Sequence, residues 1–282
     1  MSTFAKVLLA TDLTPQADKL TECLFSLCPD TETEVVLAHV FDDDDDADPD
    51  GSSFKKARSR LEGYQSDLEQ AGYEEISIET PVGDTCEVLE SIAEQQDAEL
   101  LMVASHNKGF FERALRGSTT LELARNAALP LFIYKGDEDT SHESRLLSAV
   151  MVPTDFSKKS LEALNVIRTW REEVGKVVFV HVVERVRNKK NYKEKYSNAM
   201  LLLKELVDEM NIFGIKADFR IARGVASKQI GKIVGKENIS MIMMAKSGSD
   251  VNSGLTLGST SENVVLNAEC PVLLLPAEED DD

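Results

Sequence analysis

An internal repeat covers nearly the whole chain, and it constrains the possible folds more than any other feature of the sequence. The stretch 103–120, VASHNKGFFERALRGSTT, aligns with 244–261 at an offset of 141 residues. Other residues recur at an offset of 141 to 143: Asp12 with Asp155, His39 with His181, Gly83 with Gly224, Gly117 with Gly258, and Pro130 with Pro271. Solenoid repeats are far shorter, so this repeat predicts two copies of one domain.

Within each copy, short apolar runs alternate with segments of helical periodicity. The apolar runs predict strands at 5–11, 34–40, 76–80, 98–105 and 131–134, and again at 146–155, 176–182, 216–222, 239–245 and 271–276. Helices are predicted from Thr14-Pro15, at 54–71 and 85–95, from Ser157, near 197–213, at 226–235 and at 261–269. This alternation predicts two tandem doubly wound, Rossmann-like α/β domains, each with a five-stranded parallel sheet.

The polar stretch 135–145 has no apolar periodicity and is expected to link the two copies. The predicted organisation is a first domain at 1–137, a linker at 138–146, a second domain at 147–277 and an acidic disordered tail at 278–282.

The net charge is distributed very unevenly along the chain. Residues 1–140 carry −19, whereas residues 141–282 are neutral. Such acidity argues against nucleic-acid binding by the first domain. After the second strand, the first copy has seven aspartates within 42–50, and the second copy has a basic stretch at 185–195. Two interpretations are open. Both stretches are solvated surface segments that diverged independently, or the acidic stretch repels phosphate and the basic stretch attracts it.

Composition also bears on location and chemistry. No apolar run approaches the ~20 residues that span a bilayer, so no membrane insertion is expected. The N-terminal apolar segment ends at Asp12 without a cleavage pattern and is interpreted as the first strand. The four cysteines have neither metal-ligand nor redox spacing, which favours reduced thiols in a cytoplasm; they are Cys23, Cys28, Cys86 and Cys270.

The stretch 244–262 leads from a predicted buried strand through a loop of small residues into a helix. Gly248 and Gly258 permit close backbone approach, and Ser259 begins the segment where a helix exposes its first N–H groups. A helix N-terminus carries partial positive charge and unpaired donors, which suit a phosphate group. Taken alone, the same residues also fit a plain strand-to-helix connection with a serine N-cap.

The second copy of this loop resembles the universal stress protein family, in its tandem two-domain form. The nucleotide-binding branch of that family has Gly, two residues, Gly, nine residues, and then Gly-Ser or Gly-Thr. The second copy has Ala245 in place of the first glycine, followed by Gly248 and Gly258-Ser259 at those spacings. In the first copy, Ala104 and Asn107 stand where the pattern has glycine. The resemblance therefore implies an adenine nucleotide, ATP with Mg²⁺ as counter-ion, bound mainly in the second domain.

The resemblance also implies roles for individual residues of the second copy. Asp155 would accept hydrogen bonds from ribose hydroxyls, although a turn or N-cap role is the alternative, and Val182 and Met244 would line the adenine. The implied nucleotide-binding residues are Asp155, Val182, Met244, Ala245, Gly248, Gly258, Ser259, Thr260 and Ser261.

Single-domain relatives are expected to pair through their fifth strands. The segments LFIYK and VLLLP are therefore predicted to pair within one chain as a pseudo-dimer. A homodimer or a protein partner is a further expectation.

Two classes of function remain open on the sequence. One is a stress-response or regulatory module that binds ATP, and the other is an interaction or scaffold protein of the same fold without a nucleotide. No Ser-His-Asp order, metal-ligand spacing or Walker lysine is present, so we expect no dedicated catalytic group and at most slow ATP hydrolysis. His39 and His181 are interpreted as structural residues at strand ends.

Overall fold

The computed structural model describes residues 3–41, 51–105, 119–136, 146–184, 188–248 and 257–276. The chain divides into two compact units, one of Met1–Leu123 with Ala127–Glu143 and one of Ala124–Asn126 with Ser144–Asp282. The acidic stretch 42–50, most of the predicted linker and the predicted tail lie outside the described residues. The domain boundaries and the intrachain pseudo-dimer stay predictions.

The first unit alternates strands and helices along the chain. Its elements are β1 (Lys6–Ala10), α1 (Pro15–Leu27), β2 (Glu34–Ala38), α2 (Ser52–Gln70), β3 (Ile76–Glu79), α3 (Thr85–Gln95), β4 (Leu100–Ala104), α4 (Thr119–Asn126) and β5 (Leu131–Tyr134). The strands run parallel in the order β3-β2-β1-β4-β5.

The second unit repeats this plan. Its elements are β6 (Val150–Pro153), α5 (Lys158–Leu161), α6 (Ala163–Thr169), β7 (Val177–Val183), α7 (Lys189–Ile212), β8 (Ala217–Arg223), α8 (Ala226–Glu237), β9 (Met241–Ala245), α9 (Ser259–Asn267) and β10 (Val272–Leu275). Its strands are parallel in the order β10-β9-β6-β7-β8. The predicted fold class, two doubly wound α/β domains, is therefore confirmed.

The central strands of each unit are largely apolar because helices cover both faces of a parallel sheet, whereas the edge strands β3 and β8 also carry polar residues. Val7, Leu8 and Leu9 of β1 are completely buried, and Met241–Met243 of β9 are equally inaccessible. Trp170, the only tryptophan of the chain, is also buried at the end of α6. No helix in the described part of the chain has the length and apolar character needed to cross a membrane.

Backbone conformations repeat between the units at the ends of corresponding strands. Leu13 and Phe156 both adopt left-handed conformations, with φ of 60° and 67°. A bulky side chain in this region costs about 1–2 kcal/mol, so the surrounding structure must impose the conformation in both units. Gly83 and Gly224 also share positive φ, 144° and 133°, at the turns before α3 and α8.

Several predicted helix starts are confirmed, and one is wrong. The Thr14 side chain caps α1 with Pro15 in its first turn, and α3 covers 85–95 as expected. In contrast, α7 begins at Lys189, about two turns before the predicted start near 197, because the Asn188 side chain accepts the backbone N–H of Lys190. The basic stretch 185–195 is thus not one loop: residues 189–195 are helical, and 185–187 lie outside the described residues.

Candidate functional site

A cavity of about 290 Å³ opens in the second unit at the carboxyl ends of β6, β7 and β9. In a doubly wound sheet this edge is where ligands bind. All nine residues implied by the sequence line it, although they come from four separate segments. The sequence did not single out the other lining residues as ligand contacts: Pro153, Thr154, Ser160, Val180, His181, Glu184, Ala226, Ile230 and Ser247.

Asp155 follows β6 and fixes the turn into α5. Its Oδ1 accepts the backbone N–H of Ser157 at 3.0 Å and the Ser157 hydroxyl at 2.5 Å. The Thr154 hydroxyl accepts the backbone N–H of Phe156 at 2.9 Å, which holds the left-handed residue in place. The turn role considered for Asp155 is therefore present, and the same carboxylate also faces the cavity.

Glycine at 248 is explained by a neighbouring side chain and not by its own backbone conformation. Its backbone is not among the described glycines with positive φ, so it needs no special backbone conformation. A Cβ at this position would instead lie 2.5 Å from Asp155 Oδ2. Real Cβ atoms do not approach an oxygen so closely. Glycine at 248 therefore leaves the space that the Asp155 carboxylate occupies.

Gly258 is the N-cap residue of α9, with φ −68° and ψ 148°. Any residue can adopt this conformation, and a Cβ there would lie 3.4 Å from Lys246 O and Ser247 Cα and 3.8 Å from Gly248 N. No side chain caps this helix within the described residues. Its first-turn N–H groups therefore have no side-chain acceptor there, as an anion site requires.

Hydrogen bonds tie the start of α9 to the end of β9. The Ser261 hydroxyl donates to the Ala245 carbonyl at 2.9 Å, and the Gly258 N–H donates to the Lys246 carbonyl at 2.9 Å. The Ser261 side chain is thus an anchor, because its single hydroxyl proton is used in the bond to Ala245. These bonds keep the uncapped helix end fixed over the cavity.

Apolar side chains form another part of the wall. Val182, Ile230 and Met244 contribute it, together with the methyl group of Ala226. Met244 and Ala245 are nearly buried, at 5% and 7% exposure. A flat apolar ligand surface fits here, because such contacts remove apolar area from water.

Glu184 is the most consequential lining residue that the sequence did not single out. Its Oε1 accepts the backbone N–H of Ala226, the first residue of α8, at 2.9 Å. This carboxylate interacts favourably with the partial positive charge of the helix end. The pairing joins residues 42 positions apart, so no local sequence signal indicates it.

The strand-end histidines bond to the backbone in both units. His181 Nδ1 lies 2.9 Å from the Thr154 carbonyl, and His39 Nδ1 lies 2.8 Å from the Thr11 carbonyl. A carbonyl only accepts, so Nδ1 carries the proton in each ring. Among the described residues, no group of three or more His, Cys, Asp or Glu side chains could hold a metal.

Ser247 has a buried side chain with an unusual environment. The residue is 1% exposed, and its hydroxyl finds no hydrogen-bond partner among the described residues. Buried hydroxyls are usually bonded, so this one is available to a ligand or to a water molecule.

Only part of the corresponding edge of the first unit is described. Asp12 forms the same turn, accepting the Thr14 N–H at 3.1 Å and its hydroxyl at 2.6 Å. Ala104 ends β4. Asn107, Gly117 and Ser118 lie outside the described residues, so the contrast between the two copies stays a prediction.

The universal stress protein family model matches the chain twice, at 3–135 and 148–276. Universal stress protein MJ0531 of Methanocaldococcus jannaschii is 28% identical over 143 residues, covering 46% of this chain and 82% of that protein. A solved universal stress protein from Archaeoglobus fulgidus superposes with a TM-score of 0.73 at 23% identity, covering 99% of this chain and 98% of the other. That structure shares the fold along the full length, and the two family matches together span most of the sequence. The chain therefore belongs to the universal stress protein family, in a tandem two-domain form.

Proposed function

We propose that this protein is a stress-response or regulatory module that binds ATP in the cavity of its second unit. The observation that carries the proposal is the uncapped N-terminus of α9, which opens on a cavity that also has a carboxylate and an apolar wall. These three features fit the phosphates, the ribose and the base of a nucleotide.

The proposed pose follows the chemistry of the lining. Phosphate oxygens accept the N–H groups of Ser259, Thr260 and Ser261 at the start of α9, and the buried Ser247 hydroxyl offers a further donor. A ribose hydroxyl donates to the Asp155 carboxylate. The base packs against Val182 and Met244, where apolar contact is available. Mg²⁺ enters as the counter-ion of the phosphates, since the described residues provide no dedicated set of metal ligands.

Electrostatics further support the second unit as the site. The first copy has seven aspartates within 42–50, which would repel a triphosphate. Lys189 and Lys190 begin α7, on the connection that leaves β7. Each exposed charge contributes ~0.5 kcal/mol after screening, so these two lysines together change affinity by about fivefold.

The decisive first experiment is mass spectrometry of small molecules released by denaturing the freshly purified protein. We expect an adenine nucleotide, and calorimetry with MgATP on nucleotide-free protein should then give one site per chain. If no nucleotide is released and none binds, the alternative of a scaffold or interaction protein takes its place. We also propose a cytoplasmic location and no dedicated catalysis.

A substitution at Gly258 tests where the nucleotide binds. Gly258→Asp should be compatible with folding, because the backbone is ordinary and Asp is a favoured N-cap. Its carboxylate would occupy the N–H groups of α9 and repel phosphate, so we expect at least ~30-fold weaker ATP binding. Gly117→Asp is the matched control in the first copy and should leave affinity nearly unchanged. Equal losses in both variants, or full binding by Gly258→Asp, would refute the assignment.

A further inference from the structure

We propose that Glu184 recognises the exocyclic amino group of the base, so that the cavity selects an aminopurine nucleotide. This inference rests on the proposed nucleotide binding and adds a specificity-determining residue to that site. It follows from where the Glu184 carboxylate is held and from the different charges at the two helix N-termini that border the cavity.

The structure holds the Glu184 carboxylate at the cavity wall. Its bond to the Ala226 N–H, 2.9 Å long, ties the side chain to the start of α8. Ala226 and Ile230 are one helical turn apart on α8, and both line the cavity. Val182 precedes Glu184 by two residues, at the end of β7. The carboxylate therefore borders the part of the wall where a base packs.

Two helix N-termini border the cavity, and they differ in what they offer a ligand. The end of α9 has no side-chain cap within the described residues, whereas the end of α8 carries the Glu184 carboxylate. Phosphate is attracted to the first and repelled by the second. A ligand with phosphate at one end is therefore oriented with its other end toward Glu184.

The carboxylate then determines which chemical groups fit at that end. An ionised carboxylate only accepts hydrogen bonds, and its two oxygens have capacity beyond the single bond to Ala226. An exocyclic amino group donates and fits this position. A ring C–H makes no hydrogen bond there, and a carbonyl oxygen is repelled.

A comparison of two ligands that differ only in the amino group tests this directly. MgATP and the Mg²⁺ complex of purine riboside 5′-triphosphate are titrated calorimetrically into wild type, Glu184→Ala and Glu172→Ala. Glu172 is the control, because its side chain is 80% exposed and it does not line the cavity. Wild type and Glu172→Ala should bind ATP about five- to tenfold more tightly than the analogue, as expected for a partly exposed charged hydrogen bond. In Glu184→Ala the two ligands should bind equally.

Glu184→Gln should change the preference between ATP and ITP, which a merely structural role of Glu184 would not produce. If the Gln oxygen keeps the bond to Ala226, its NH₂ group faces the base and suits the carbonyl of ITP. The ratio of ATP to ITP affinity should then fall at least fivefold relative to wild type.

The outcomes separate this inference from the function on which it rests. If wild type binds ATP and the analogue equally, or if Glu184→Ala keeps the full difference, Glu184 does not recognise the base, although nucleotide binding stands. If wild type binds none of these ligands, the proposed function fails and this inference fails with it. A urea melt followed by Trp170 fluorescence shows that each variant is folded.

Discussion

Gly248→Ala should destabilise the second unit through one contact, with the carboxylate of Asp155. The added Cβ would lie 2.5 Å from Asp155 Oδ2, so the carboxylate has to move. Its Oδ1 holds the Ser157 N–H and hydroxyl at 3.0 and 2.5 Å, and a shift weakens both bonds. Losing a hydrogen bond of this turn costs about 0.5–1.5 kcal/mol, and overpacking about 1–3 kcal/mol. We expect a net loss of about 1–3 kcal/mol.

The assay uses the single tryptophan. Trp170 is 1% exposed and belongs to the second unit, so its fluorescence reports the unfolding of that unit in urea. With an m value of about 2 kcal/mol/M, the midpoint should fall by about 0.5–1.5 M. Gly258→Ala is the control, since its Cβ makes only ordinary contacts at 3.4 Å and its φ suits alanine. Its midpoint should stay within about 0.3 M of wild type.

A double-mutant cycle identifies the cause of the loss. In an Asp155→Ala background the clash is absent, so Gly248→Ala should cost less than about 0.5 kcal/mol. Two results would refute the reasoning. One is a Gly248→Ala midpoint as close to wild type as that of Gly258→Ala, and the other is an equal loss of free energy of unfolding in the wild-type and Asp155→Ala backgrounds. The first would mean that the carboxylate yields without loss, and the second that some other contact is responsible.

Further predictions concern the thiols, alkaline pH, the start of α7 and the pairing of the units. Burial and nearby Glu99 raise the pKa of Cys28 to about 12, so stability should fall above the unfolded value near 9, by at most ~1.4 kcal/mol per pH unit. Alkaline urea melts followed by circular dichroism should show this fall, and Cys28→Ala should reduce it. All four cysteines are buried thiols outside any disulfide, so iodoacetamide should label them slowly in the native protein and fully after unfolding without reductant; recovery of two thiols would indicate a disulfide. Asn188→Ala should cost about 1 kcal/mol by removing the cap of α7, a loss that Trp170 fluorescence would record. Separately expressed halves should self-associate in sedimentation if their fifth strands pair, and two monomeric halves would contradict that pairing.

The sequence alone was sufficient to predict the fold class and to name half of the residues that line the cavity. The repeat, the apolar runs and the cap at Thr14 are features of the chain itself, and alternating strands and helices form parallel sheets. The nine implied residues line one cavity because the carboxyl ends of parallel strands share one edge. The early start of α7 was missed because its lysines and tyrosines lack an apolar stripe, whereas the Asn188 cap depends on a single side-chain bond.

Only the tertiary structure shows which contacts explain the residues at particular positions of the site. Glycine at 248 is explained by the Asp155 carboxylate, 93 positions earlier in the chain, and not by its own dihedral angles. The placement of Glu184 depends on a bond to the start of a helix that follows a different strand. Local patterns encode dihedral preference and burial, because these depend on near neighbours. Contacts between the ends of separate strands depend on how the sheet brings them together, and that information is absent from any single segment.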